Sequence, residues 1–408
     1  MITMGKLKLF EIVLDSNQNV YYPGQDVKGK CMIELRSELK LKSIKVYMRG
    51  VAKVHWTESR STGNRLGAYT EHYNAEIEYF FKKQVLCGPE SSDSRDVLSE
   101  GHHEFMFAFQ LPNGGISTSF EGKYGNVRYW LKAEVEKPWG FNHKTKKAFT
   151  VISPIDINRR EYLTPVENSI EKSLCCLCCT SGPIHLYART DRTGYCPGES
   201  ISITAEFENH SRRTIIPHAT LYQSQTFLAT GKSRSRRFKF TIVTGLAIQP
   251  RRTANWDAQL LKIPAVSPSI VNCSLIKVEY AVRITLQIPL IAYNLSVYLP
   301  IIVGTVPLRA QPSGSQYRNP LMRPSEARMT FYPPVPSYSA LELEDISITP
   351  PPTYAECISG SVDIGDDEDG DIIGDTRFTP MYAYVHNYSP ALPPPAYSEI
   401  DPHPNQPD

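Results

Sequence analysis

Through residues 1–310 apolar and polar positions alternate in short runs, and helical spacing is scarce. Across Lys42–Met48, Ile44, Val46 and Met48 fall on one side of an extended chain while Lys45, Tyr47 and Arg49 take the other. Side chains of a strand point to opposite faces in turn, so this run predicts a half-buried strand with a partly cationic outer face. Phe105, Phe107 and Phe109 alternate the same way, as do Val127, Tyr129 and Leu131, and again Val278, Tyr280 and Val282. Gly, Pro, Asn and Ser punctuate these runs, and many short strands so spaced predict β-sandwiches.

The strands come in two sets. Tyr21-Tyr22-Pro23-Gly24-Gln25-Asp26-Val27 parallels Tyr195-Cys196-Pro197-Gly198-Glu199-Ser200-Ile201 at an offset of 174 residues. Proline presets a turn, glycine supplies its left-handed position, and a strand restarts behind it. Farther on, Leu111-Pro112 leads to Val127–Leu131 just as Ile263-Pro264 leads to Val278–Val282. Two landmarks in the same order predict two copies of one sandwich. The expected organisation is a first domain at 1–157, a linker at 158–181, a second domain at 182–310 and a tail at 311–408.

Leu286–Leu308 is 23 residues long without a charge, enough to span a bilayer. Pro289, Pro300 and Pro307 interrupt it, and its apolar residues are largely β-branched or aromatic. Two buried strands, at Ile284–Ile288 and Leu295–Val303, fit it better than a membrane helix.

Net charge of +2 conceals a partition. Residues 311–408 hold 4 Arg, no Lys and 15 acidic residues, whereas residues 1–310 hold 40 basic against 27 acidic ones. The tail also has 17 of the 32 prolines, and seven of the thirteen residues in Asp363–Asp375 are acidic. It offers too little apolar area to offset the entropy of ordering, so it is expected to be disordered. Lys6, Lys8, Glu11 and Asp15 interrupt the first apolar stretch, which leaves no leader-like apolar run. With nine unevenly placed cysteines, the chain reads as cytoplasmic with reduced thiols.

Signatures of catalysis fail on inspection. Gly231-Lys232-Ser233 ends like a phosphate loop, but Thr226 stands where the earlier glycine is required. His102-His103-Glu104 lacks the second histidine of a zinc-protease helix, and no G-x-S-x-G occurs. No enzyme activity, cofactor or metal is expected, and no nucleic-acid motif accompanies the basic charge.

The tail carries the sharpest signal. Pro351-Pro352-Thr353-Tyr354 and Pro394-Pro395-Ala396-Tyr397 are both P-P-x-Y, each preceded by a third proline and followed by a small residue and Glu. Paired prolines hold a polyproline II helix that fits the aromatic groove of a WW domain, with the tyrosine in a neighbouring pocket. Cys175, Cys176, Cys178 and Cys179 crowd between the two domains. They are open to three readings: acylation at a membrane, plain packing, or metal binding. Lys40, Lys42, Lys45 and Arg49 are candidates for a face toward anions or a membrane, or are simply solvated strand positions.

Several segments together resemble the α-arrestins, the arrestin domain-containing proteins: Val54-His55-Trp56-Thr57-Glu58-Ser59, Ser119-Phe120-Glu121-Gly122, Val127-Arg128-Tyr129-Trp130, Gly194–Glu199 and Leu299–Thr305, with both P-P-x-Y motifs. The resemblance implies an all-β fold of two tandem arrestin-type, immunoglobulin-like sandwiches before the proline-rich tail. It implies an adaptor whose tail recruits HECT-type ubiquitin ligases through their WW domains. The body would hold membrane receptors or transporters, including G-protein-coupled receptors. It would deliver them to ubiquitination, endocytosis and the endosomal and lysosomal sorting machinery, at the surface of plasma membrane and endosomes. The alternative is a redox or metabolic regulator of the thioredoxin-interacting type. A thioredoxin-binding relative uses a cysteine three residues before a tryptophan, and Thr253 stands at that place before Trp256.

Overall fold

The computed structural model describes residues 6–16, 19–61, 68–88, 96–176, 179–289, 294–309, 353–357, 360–365 and 372–385. The first unit contains β1 (Leu7–Leu14), β2 (Val20–Tyr21), β3 (Asp26–Leu35), β4 (Leu39–Leu41), β5 (Ser43–Ser61), β6 (Ala68–Cys87), β7 (Asp96–Leu98), β8 (Gly101–Gln110), β9 (Phe120–Gly122), β10 (Gly125–Glu136) and β11 (His143–Val151). The second contains β12 (Glu167–Cys176), β13 (Cys179–Thr190), β14 (Gly194–Tyr195), β15 (Ser200–Asn209), β16 (Ile216–Ala229), β17 (Lys232–Thr244), β18 (Arg252–Lys262), β19 (Ile276–Gln287) and β20 (Leu295–Val303). Among the described residues the only helical element is one 3₁₀ turn, Arg160–Tyr162, and no helix is long and apolar enough to cross a membrane.

Each unit is a sandwich. The first packs β1-β3-β8 against β2-β11-β10-β5-β6; the second packs β12-β13-β15-β18 against β14-β20-β19-β16-β17. Ile44, Val46 and Met48 of β5 are buried, as are Val127, Tyr129 and Leu131 of β10 and Val278, Tyr280 and Val282 of β19. Alternation over a two-layer core is what the period-two pattern demands. The uncharged segment forms the end of β19 and, at Leu295–Val303, the whole of β20.

The repeat holds down to single hydrogen bonds. Gly24 and Gly198 both take a left-handed backbone, φ +84° and +91°. The Leu111 N–H donates to the Gln25 carbonyl and the Ile263 N–H to that of Glu199, both at 2.9 Å. The buried Tyr129 hydroxyl donates to the Ser117 carbonyl and Tyr280 to that of Ser267, both at 2.5 Å. These tyrosines are T-beams of their sandwiches: an apolar body in the core and one satisfied polar tip.

The units meet over a mixed interface. Phe227 packs against Phe120 and edge-on to Tyr124, with ring centroids 6.5 and 5.7 Å away. Asn272 accepts from the Ser117 hydroxyl at 3.0 Å and donates to the Ile116 carbonyl at 3.2 Å. The Ile155 N–H donates to Thr305 Oγ1 at 2.8 Å.

Two expectations are corrected. Residues 167–176 and 179–181 are strand and not linker: β12 pairs antiparallel with β13 from Glu167↔Arg189 to Cys176↔Cys179. The Glu167–Ser173 side chains are exposed, so this edge strand carries no apolar alternation to betray it. The expectation of a disordered tail fails for three segments, which contain β21 (Thr353–Glu356), β22 (Val362–Asp363), β23 (Arg377–Phe378) and β24 (Met381–Tyr384). They gain order by burying Ile364, Phe378 and Tyr382 against the body.

Candidate functional site

The site is the crevice between the sandwiches with the tail strand β24 lying in it. Tyr382 is 2% exposed, and its hydroxyl donates to the Ser119 carbonyl at 2.8 Å. Phe120 and Glu121 from the first sandwich and Gln223, Val266 and Ser267 from the second surround it. Burial pushes the Tyr382 phenol well above its ordinary range, so the ring is a neutral donor.

Backbone bonds seat the strand on either side of that ring. The Met381 N–H donates to Thr150 Oγ1 at 3.2 Å, and the Val385 N–H donates to the Pro197 carbonyl at 2.8 Å. The second contact needs Gly198. A Cβ there would sit 2.1 Å from the Val385 carbonyl oxygen, on a backbone already left-handed.

Charge matches as well. Lys146 of β11 donates to the Ile364 carbonyl at 3.0 Å while its ammonium lies 4.7 Å from the Trp130 ring centroid. Hydrogen bonds from Thr376 and Gly365 lower the Asp363 pKa, with Arg128 adding its field. Hydrogen bonds from Arg377 hold Asp375 at about 2, helped by Lys147. Asp363 and Asp375 of the tail thus lie in the field of Arg128 and Lys147 of the first sandwich. Beneath it, Arg128 donates to both carboxylate oxygens of Glu121, at 2.7 and 3.0 Å. Burial still raises the Glu121 pKa against the pull of that guanidinium.

The motif residues separate. Tyr354 lies in β21, paired with Ala383 of β24 in an antiparallel ladder running from Thr353↔Tyr384 to Glu356↔Met381. Pro351, Pro352, Pro394, Pro395 and Tyr397 lie outside the described residues, as does Cys178. Cys175, Cys176 and Cys179 end the two strands of the β12–β13 hairpin, with Cys176 opposite Cys179.

The four candidate cations divide too. Lys40 and Lys42 are exposed. Lys45 is bound to Glu136 at 2.6 Å and is largely buried, and Arg49 bridges Glu76 and Glu78 at 2.8 and 2.6 Å. Those two are neutralised by strand neighbours and offer no open cationic face.

Gly231-Lys232-Ser233 sits at a hairpin turn, with Thr230 and Gly231 at φ +50° and +76°, the two left-handed positions of a type I′ turn. His102 and Glu104 lie on strand β8 and pair with each other at 3.1 Å. Among the described residues no cluster of three His, Cys, Asp or Glu could hold a metal ion. The crevice strand itself escaped sequence reasoning; its signal was Phe378, Tyr382 and Tyr384 standing close together in an acidic segment.

Two paired-sheet sandwiches with a crevice between them define the class. The arrestin N-terminal domain family matches residues 10–158 and the arrestin C-terminal domain family matches residues 180–308. The chain is 34% identical over 407 residues to human arrestin domain-containing protein 4, covering 98% of this chain and 94% of the relative. The mouse protein of that name is 33% identical over 405 residues, with the same coverage. Human thioredoxin-interacting protein is 30% identical over 414 residues, 98% of each chain. The chain belongs to the α-arrestins, and its kind is an arrestin-type adaptor.

Proposed function

We propose that this α-arrestin recruits HECT-type ubiquitin ligases to membrane cargo, with Pro351-Pro352-x-Tyr354 and Pro394-Pro395-x-Tyr397 as the WW-binding motifs. Its cargo would be receptors, including G-protein-coupled receptors, and transporters. Their ubiquitination would lead to endocytosis and endosomal or lysosomal sorting at the cytoplasmic face of plasma membrane and endosomes. The observation that carries the reading is the duplicated motif, each copy preceded by a third proline and followed by a small residue and Glu, on the tail of an arrestin body. Acyl chains on Cys175, Cys176, Cys178 and Cys179 would add to membrane attachment from the β12–β13 hairpin. The test is capture of ligase WW domains by the tail 340–408: single Tyr354→Ala and Tyr397→Ala changes weaken it, and the double change abolishes it. Full capture by the double variant would refute the reading.

A second reading, thioredoxin binding, is favoured by the likeness to thioredoxin-interacting protein. Thr253 stands exposed at the position where that reading wants a thiol, and Trp256 packs edge-on to Phe207 at 5.1 Å. A mixed disulfide with thioredoxin that survives purification would revive it.

A further inference from the structure

We propose that the turn between β10 and β11 is a wedge that inserts into an anionic membrane surface. Trp139 is 79% exposed and Phe141 93%, among the described residues the two bulkiest apolar side chains to be so bare in the first sandwich. Scattered surface aromatics need no explanation. Here two flank a single glycine on one tight turn.

That turn is built to hold them out. The Lys137 N–H donates to Asn142 Oδ1 at 3.1 Å, closing the loop across its base. Asn142 in turn donates to Glu134 at 2.8 Å. Gly140 supplies the left-handed position between the rings, φ +85°, with open space where a Cβ would point. The rings are therefore presented by a braced hairpin, and the ordering entropy is already spent before any partner arrives.

Charge selects the partner. The Lys42 N–H donates to the Glu136 carbonyl at 2.7 Å, which sets exposed Lys42 beside the turn, with exposed Lys40 two residues away. Lys137 lies 3.4 Å from His143 Nε2. Burial and then the Lys137 charge lower the His143 pKa. The two acids that flank the turn are engaged internally: Glu136 binds Lys45 and the Ser43 hydroxyl, and Glu134 binds Asn142, which leaves Glu38 as an exposed acid beside Lys40. Tryptophan favours the headgroup level of a bilayer, and each lysine near anionic lipid adds roughly fivefold in affinity. A protein partner would need a rimmed pocket for such rings, whereas a lipid surface supplies a yielding apolar layer under a negative sheet. This end of the sandwich is shaped for the second.

The test uses the full chain and vesicles of phosphatidylcholine alone or with phosphatidylserine added. Binding is expected to the serine-lipid vesicles and to fall as salt rises. Trp56 and Trp130 are buried and Trp256 is half-buried, so a blue shift of emission on binding reports Trp139. Trp139→Phe should lose that shift and keep most of the binding. Trp139→Ala with Phe141→Ala should weaken binding roughly tenfold or more, with an unchanged thermal midpoint because both rings are exposed. Lys40→Ala with Lys42→Ala should weaken it on serine-lipid vesicles only. No vesicle binding, equal binding by the aromatic double variant, or an unshifted Trp139 would each overturn the proposal, and the first would return the turn to a protein partner.

Discussion

The Tyr382 hydroxyl donates to the Ser119 carbonyl across 2.8 Å and 263 residues of chain, joining the acidic tail to the segment that leads into β9. Ser119 is itself fixed, its N–H donating to the Val151 carbonyl at 2.8 Å and its hydroxyl accepting from the Val151 N–H at 2.9 Å. The acceptor that receives the tail is therefore part of the rigid sandwich.

Tyr382→Ala should undock the tail. Removing a buried aromatic costs about 3–5 kcal/mol, and here the loss falls on the docking equilibrium rather than on the sandwiches. Amide exchange across Met381–Tyr384 should accelerate while the body keeps its thermal midpoint. In a Tyr397→Ala background the same change should raise WW-domain affinity, because Tyr354 is otherwise held in β21 and a polyproline II ligand must leave that ladder. Slow exchange at β24 in the variant would contradict this.

Cys31 should stay unreactive until the protein unfolds. It is fully buried, and desolvation pushes its thiol up to about 12. Its folded value exceeds the unfolded one, so this contribution to stability is whole below about pH 8.5 and is lost as pH rises toward the folded value. Cys196 is raised by the same cause. Both should resist a thiol reagent at pH 8 and label at the rate of global unfolding; prompt labelling would refute the assignment.

Phe227→Ala should cost about 3–5 kcal/mol and loosen the join between the sandwiches. The ring is fully buried on Phe120 and Tyr124, and a Cβ on Gly122 or Gly125 would come within 2.9 or 3.1 Å of it. A calorimetric scan should broaden or split into two transitions. A single sharp transition at the original midpoint would show that the interface carries little coupling.

Lysine-linked ubiquitin on this protein should map at or before Lys277, the last lysine of the chain. A ligase held at Tyr354 or Tyr397 finds no lysine on the segment it grips, so acceptors must come from the body or from cargo at high local concentration. Diglycine-remnant mapping decides it, and a modified chain in which every body lysine is arginine would contradict it.

Much of the body was legible because its signals are local. Pro23-Gly24 and Pro197-Gly198 mark turns by backbone chemistry, and Val127–Leu131 marks a strand by alternation over a core. β12 was not legible, because an edge strand with exposed side chains has no reason to alternate. The pairing of Lys45 with Glu136 and of Arg49 with Glu76 depends on which strands lie side by side, information that sits in the register and not in either segment. Tyr382 was hidden for a related reason: three aromatics cannot make a core by themselves, and they read as disordered until the crevice that receives them is known. The duplicated P-P-x-Y was plain in the letters, whereas the strand pairing of Tyr354 was not.

The two Pro-Gly turns match in sequence and backbone, yet they do not do the same job. Gly24 faces the pliable Asn113 side chain, while Gly198 has given its open side to the Val385 backbone. The duplication is broken at one glycine, and that break gives the molecule a direction. A side chain at position 198 would close the seat of the Val385 backbone, while the contacts of Tyr382 and Met381 with Ser119 and Thr150 lie on the first sandwich.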